Sequence, residues 1–301
     1  MTCRRARGRT RARVRRGIRR YNSGYHRELR DAHDAAGTAL GTADLHIHTR
    51  YGDGMATIPE LLHYVEHAGE LDVIAVTEHD TIRAAEEARE LHARGHFRFE
   101  LITGIEVTTL DGHLIALFVD EPIASFRRME PTLADIHERG GLAVVPHPLS
   151  WLTRSVNTRV LERIARTRDD GVYFDAIEEY NLSPAGRVTS AKARRLNRER
   201  LHLAAVGSSD AHFLQSIGSA FTRFEGTSAA ELRRAIETST TSGAAGRSPR
   251  MSELGYRNIA LQQWRGMMAT PRNMGWLPTI RSFIVSHARH KPAARRESDV
   301  R

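Results

Sequence analysis

The stretch Asp44-Leu-His-Ile-His48 sets two imidazoles one residue apart at the end of a strand-like run. Side chains two apart on an extended chain share a face, so His46 and His48 point the same way. Six more strand-like segments follow. They are Val73-Ile-Ala-Val-Thr-Glu-His79, Leu101-Ile-Thr-Gly-Ile-Glu106, His113-Leu-Ile-Ala-Leu-Phe-Val119, Leu142-Ala-Val-Val-Pro-His147, Phe174-Asp-Ala-Ile-Glu-Glu-Tyr-Asn181 and Ala204-Ala-Val-Gly-Ser-Ser-Asp-Ala-His212. Each carries a metal-capable or polar residue near one end. In the fourth it stands at the start, and in the sixth it is only Asn181. Helix-like stretches separate most of the strands: residues 59–71, 81–94, 129–139, 156–167 and 184–200, with 228–238 after the last. Such alternation predicts parallel pairing through crossover units. A barrel of parallel strands gathers its strand ends into one pocket, so scattered ligands share a single site. The third and fourth segments are the exception, because Asp111-Gly112 between them reads as a hairpin turn.

Charge is distributed unevenly along the 301 residues, whose formal net charge is +9. Residues 1–20 contain ten Arg and no acid, residues 21–250 are net acidic, and residues 251–301 are basic again. The expected organisation is an Arg-rich, disordered arm over 1–41, a catalytic barrel over 42–240, and a linker with a basic helical extension over 241–301. That extension carries Trp264, Met267, Met268, Trp276, Leu277, Ile280, Phe283 and Ile284, with Pro271 and Pro278 as interruptions. It reads as helices packed on the barrel, or as an interfacial membrane or partner helix. The single cysteine, Cys3, excludes a disulfide framework and a multi-thiolate metal site. No run of about 18 apolar residues is present, which excludes a membrane-spanning helix. The basic N-terminus has no apolar stretch behind it and does not read as a secretory signal. The expected location is the cytoplasm, with peripheral membrane contact as an alternative.

Asp-Leu-His-Ile-His-Thr49 with Gly52-Asp-Gly54, Val-Thr-Glu-His-Asp80, Pro-His-Pro148 and Ser-Ser-Asp-Ala-His212 resemble, in order and spacing, the four motifs of the PHP (polymerase and histidinol phosphatase) family. The stretch Gly104-Ile-Glu-Val-Thr-Thr-Leu-Asp-Gly-His113 resembles the bridging-glutamate region of the same family, and looks most like its branch related to carbaryl-hydrolysing metallohydrolases. The resemblance spans residues 43–225. It implies an α/β fold, a distorted seven-stranded (β/α)7 barrel, here with basic N- and C-terminal extensions. It further implies two or three divalent ions (Mn, Fe or Zn). His46, His48 and Asp210 would hold the first, with Glu106 bridging to a second completed by His113 and His147. Asp53, His79 and His212 would hold a third. Glu106, Asp210 and His212 would carry the catalytic roles.

The chemistry expected of such a cluster is attack of metal-activated water on phosphorus, because the ions offset substrate charge and acidify water. The first expectation is a phosphoesterase of small phosphomonoesters, nucleotides or oligonucleotide ends. Alternatives are a hydrolase of carboxyl or carbamate esters, and a non-catalytic metal-binding scaffold drawn to nucleic acid or anionic membrane by its basic ends. Arg154, Arg187 and Asn181 follow or end strand segments and are candidate substrate contacts. Asp44 reads as a structural residue at the start of its strand, Glu78 as facing away from the site, and Asp80 as a partner of a ligand histidine. The pairs His63/His67 and His92/His96 have helical spacing away from strand ends and read as surface histidines.

Overall fold

The computed structural model describes residues 39–167 and 171–274. The Arg-rich arm up to residue 38 and the apolar positions Trp276, Leu277, Ile280, Phe283 and Ile284 lie outside the described residues. Nine strands form one mixed sheet: β1 (Leu40–Asp44), β2 (Val73–Val76), β3 (Glu100–Thr108), β4 (His113–Leu117), β5 (Leu142–Val145), β6 (Ala176–Asn181), β7 (Ala204–Ser208), β8 (Ala220–Glu225) and β9 (Ser242–Ala245). Their order is β7-β6-β5-β4-β3-β2-β1-β8-β9.

The seven expected strands are the first seven of this order, and the sheet has two more. β1, β2 and β3 are parallel neighbours, as are β5, β6 and β7. β4 runs against both β3 and β5, as the Asp111-Gly112 turn predicts. This reversal explains why its ligand, His113, stands at the start of the strand. β8 pairs antiparallel with β1, and β9 with β8. Ser242–Ala245 is therefore a strand, although its small residues read as linker. Those small residues permit the close approach: a Cβ at Gly243 would lie 2.7 Å from the Val206 carbonyl oxygen of β7. At the site end the sheet closes through an isolated parallel bridge, with His48 N–H donating to Ala211 O (2.9 Å) and Ala211 N–H to His46 O (3.1 Å). The result is a nearly closed α/β barrel, not a simple (β/α)7 repeat.

The helices that position the site are α1 (Ile58–Ala68), α2 (Arg83–Arg94), α3 (Met129–Glu138), α4 (Thr158–Thr167), α5 (Pro184–Arg187), α6 (Ser190–Leu196), α7 (Ala229–Glu237), α8 (Met251–Leu254) and α9 (Tyr256–Met274). α1 begins where the Glu60 carboxylate accepts the Thr57 N–H and hydroxyl, and ends at Gly69 with φ 63°. The long stretch expected over 184–200 is broken into α5, α6 and a π-helical turn over Asn197–Leu201. Pro271 does not stop α9, which continues to Met274.

Two apolar layers follow from the alternation of side chains along the strands. Ile74, Val76, Ala143 and Val145 pack outward against Leu61, Ala84, Leu133 and Leu161 of the helices. Ala43, Val73, Ala75, Val144, Ala176 and Val206 fill the interior together with Leu232 and Ile236 of α7. Val73–Val76 is buried at every position, as a strand covered on both faces must be. No helix among the described residues is long and apolar enough to cross a membrane.

Candidate metal centre

All nine ligand positions expected from the sequence converge at the site end of the barrel. Their donor atoms form four overlapping groups, each within 4.8 Å: His46, His48 and Asp210; His46, Glu106 and His147; His79, Glu106 and His113; and His48, Asp53, His79 and His212. Glu106 is central and fully buried. Its Oε1 faces His113 Nδ1 (3.0 Å) and His147 Nε2 (3.1 Å), and its Oε2 faces His79 Nδ1 (2.9 Å) and His46 Nε2 (3.3 Å).

Outer partners fix which nitrogen each ring presents. His46 Nδ1 donates to Glu178 Oε1 at 3.0 Å, which turns Nε2 inward. His48 Nδ1 is held in the same way by Glu78 Oε1 at 3.2 Å. The Ser155 hydroxyl donates to His147 O, so its oxygen receives His147 Nδ1–H at 2.9 Å. His212 Nδ1 donates to Asp210 O at 3.0 Å, directing Nε2 at Asp53 Oδ2, 2.9 Å away. The outer carboxylates are themselves pinned. Glu78 Oε2 accepts the Thr49 N–H and hydroxyl, each at 2.8 Å, and Glu178 Oε2 accepts His147 N–H at 2.6 Å and Asn181 Nδ2 at 2.7 Å.

The sequence did not reveal Glu178 or Glu78 in these roles; Glu78 reads there as facing away. Asn181 is buried and orients Glu178, with its other amide atom accepting Ser183 N–H. Asp44 ends β1 rather than starting it, and accepts Ser209 N–H and Gly218 N–H. Burial pushes its carboxyl up to about 6 against the lowering effect of those donors. Asp80 accepts from Thr108 and Ser125, which fixes the end of β3 beside Glu106. Arg154 lies in the loop after His147, with its carbonyl accepting His113 N–H; burial lowers its guanidinium pKa. Arg187 donates to Ser248 Oγ at 2.8 Å on the exposed side of α5. His63 and His67 lie on α1, and His92 donates to Phe99 O at 2.7 Å outside the cluster.

The electrostatics ask for a cation. Burial opposes charge on His46 and His48, but Asp210, Glu106 and Glu178 around the first, and Asp210, Glu78 and Asp53 around the second, hold both well above the usual histidine range. His79 is pushed up to about 9, with the Glu106 carboxylate overcoming burial. Burial works against ionised Glu106 and Asp210, yet the surrounding imidazoles hold both well below the usual carboxylate range. Two protons cannot satisfy this set, because His46 Nε2 and His48 Nε2 lie 3.0 Å apart and two N–H groups would collide head-on. Buried Asp53 Oδ1 and Glu106 Oε2 make no hydrogen bond. Metal ions would satisfy both rings and both oxygens at once. A nitrogen and carboxylate donor set without thiolate suits Mn, Fe or Zn.

Residues 191–241 match the family model described as PHP-associated. An uncharacterized protein of Methanocaldococcus jannaschii is 34% identical over 131 residues, covering 40% of this chain and 75% of that protein. The chain belongs to the PHP family. The 5'-3' exoribonuclease Rnm of Salmonella typhimurium is 40% identical over 83 residues, but the match spans only 27% of that protein. Among solved structures, a two-domain protein from Bacteroides vulgatus containing a predicted PHP-like metal-dependent phosphoesterase superposes with TM-score 0.56 at 17% identity, covering 76% of this chain and 70% of that one. PsfC from Pseudomonas syringae superposes with TM-score 0.52 at 19% identity, covering 76% of this chain and 99% of that one. These likenesses concern the fold of the PHP barrel.

Proposed function

We propose that the protein is a phosphoesterase that uses two or three divalent ions to hydrolyse small phosphomonoesters, nucleotides or oligonucleotide ends. The observation that carries this reading is Glu106, a buried carboxylate with one oxygen toward His113 and His147 and the other toward His46, His48 and His79. A carboxylate so placed suits two ions sharing one ligand. Bound there, the ions would lower the pKa of water from about 15.7 toward about 7 and offset the charge of a phosphate ester.

The chain's own residues divide the remaining work. His46, His48 and Asp210 hold the first ion, Glu106, His113 and His147 the second, and Asp53, His79 and His212 the third. Glu178, Glu78 and Ser155 keep Nε2 of His46, His48 and His147 turned inward. Asp210 and His212, joined by the His212 Nδ1–H on the Asp210 carbonyl, stand beside Glu106 as the catalytic groups. Arg154 supplies a partly desolvated cation to a substrate phosphate. Arg187, tied to Ser248, contributes at the rim, and Asn181 acts through Glu178. The exoribonuclease likeness favours a phosphate ester over a carboxyl or carbamate ester. It also gives the basic termini a partner, because Arg-rich segments attract polyanions sequence-independently.

Metal analysis of the purified protein, followed by assay on phosphomonoesters, phosphodiesters and carboxyl esters, tests the proposal. Bound transition metal with turnover confined to phosphate esters is expected. Turnover of carboxyl esters alone, or a metal-free protein that hydrolyses nothing after reconstitution, overturns it.

A further inference from the structure

The C-terminal helix α9 lies outside the segments that carry the family motifs, yet it touches the centre. Gln262 is 7% exposed, and its Nε2 donates to Asp53 Oδ2 at 3.3 Å. Gln263 Nε2 donates to Gln262 Oε1 at 2.8 Å, which fixes the amide with its NH2 toward the carboxylate. One turn on, Arg265 Nη2 donates to the carbonyls of Arg50 (2.8 Å) and Gly52 (3.0 Å), both in the loop that carries Asp53. Gly266 allows this approach: a Cβ there would stand 3.1 Å from Asp53 Oδ2.

Gln262 Nε2 donates to Asp53 Oδ2, toward which His212 Nε2 also points, while Oδ1 is buried without a hydrogen bond. A carboxylate held by one oxygen presents the other in a fixed direction. The loop itself has a glycine on each side of Asp53 and needs an external restraint to hold that direction.

We infer that Gln262 and Arg265 are positioning residues for the third metal subsite, making the C-terminal helix part of the metal centre. The helix selects Asp53 Oδ1 as the ligand oxygen and holds its loop over the site. Partners of ligating groups are typically worth about 10–100-fold in metal affinity or activity. The ions built on Glu106 and Asp210 do not depend on this contact. The inference rests on the metal-centre reading above.

The test is titration of the full-length, metal-stripped protein with Mn(II) and with Zn(II), comparing wild type with Gln262→Met and Arg265→Met. Gln262→Met keeps side-chain length and helix propensity while removing the donor. The expected result is tenfold or greater weakening of the most weakly held ion. The other ions should bind as in wild type, and the metal-free proteins should melt at the same temperature. Affinities within twofold of wild type at every site overturn the inference. So does parallel weakening of all ions with a lower melting temperature of the metal-free variant, which would mean that the helix merely completes the fold. A wild-type chain that binds no ion overturns the metal-centre reading itself, and with it this inference. Failure to turn over phosphate esters while binding metal overturns only the substrate assignment.

Discussion

His46, fully buried, and His137, partly buried, are histidines set against carboxylates near opposite ends of one barrel, and they do different things. His137, on α3, donates Nδ1–H to Gly171 O at 2.8 Å and Nε2–H to Asp175 Oδ2 at 2.9 Å. Both nitrogens are satisfied, Tyr173 stacks on the ring at 4.1 Å, and Asp175 is anchored by Ala143 N–H at the start of β6. His46 donates outward to Glu178, but its inward nitrogen meets His48 Nε2, Glu106 and Asp210 at 3.0–3.6 Å, and the two facing Nε2 atoms cannot both carry a proton. One end holds a closed ion pair and the other a crowd of carboxylates and imidazoles whose facing nitrogens cannot both be protonated. A buried histidine therefore marks structure or chemistry according to whether its second nitrogen already has a satisfactory partner.

The sharpest way to break this contrast is at Glu106. Glu106→Ala should remove turnover to background and lower bound metal by more than one equivalent, measured by elemental analysis. His48→Ala should behave similarly. Retained metal and activity in both would end the distinction between the two ends.

The pH dependence comes next, because its sign differs between metal binding and metal-free stability. His79 has a folded-state value of about 9, so below that pH an ion must displace its proton. Affinity should rise with pH, by up to about tenfold per unit for each proton released. Calorimetry in buffers of different ionisation enthalpy would count those protons. In the metal-free protein the raised value acts oppositely: its contribution to stability is complete below about 6.5 and is lost as pH rises through about 9.

Glu178→Gln should weaken metal binding or turnover by about 10–100-fold while leaving every direct ligand in place. An unchanged titration would show that His46 needs no outer partner.

The smallest effect on the centre is expected at the other end. His137→Ala should lower stability by about 1.5–3 kcal/mol, the range for hydrogen bonds to charged groups, and leave metal content unchanged. Burial opposes charge on this ring, but Asp175 and the Gly171 carbonyl raise its pKa above the usual value. The loss should therefore be full below about pH 6.5 and shrink as pH passes the folded-state value. Chemical denaturation at pH 6 and pH 9 checks it.

That these side chains would meet was legible from strand geometry, while their sorting into metal subsites came from the resemblance to the PHP motifs. His, Asp and Glu at the ends of apolar runs converge once the runs are parallel, and the hairpin turn accounts for His113. The outer carboxylates were less legible because they lie where period-two alternation fails. Glu78 lies two residues past Val76, the last residue of β2, so strand alternation no longer predicts its direction. Glu178 sits at a register shift between Glu178 and Tyr180, which brings it to Asn181, three residues on. β9 was hidden for another reason. Ser242-Gly-Ala-Ala245 has no β-branched or aromatic residue, and its strand state comes from pairing with β8. The contact of Gln262 with Asp53 spans 209 positions and carries no local signal.

The bridge between Ile47 and Ala211 has a consequence for the protein's biogenesis. His46-Ile-His48 and Asp210-Ala-His212 are laced into one ladder, so the first candidate ligands to leave the ribosome cannot be completed until the seventh of the nine strands has emerged. At roughly 5–20 residues per second, that wait is on the order of ten seconds. The nascent chain spends it with two imidazoles and no enclosing site. Under the metal-centre proposal, ion choice would follow synthesis of the barrel, set by what the cell offers a nearly finished fold rather than by what the first histidines encounter.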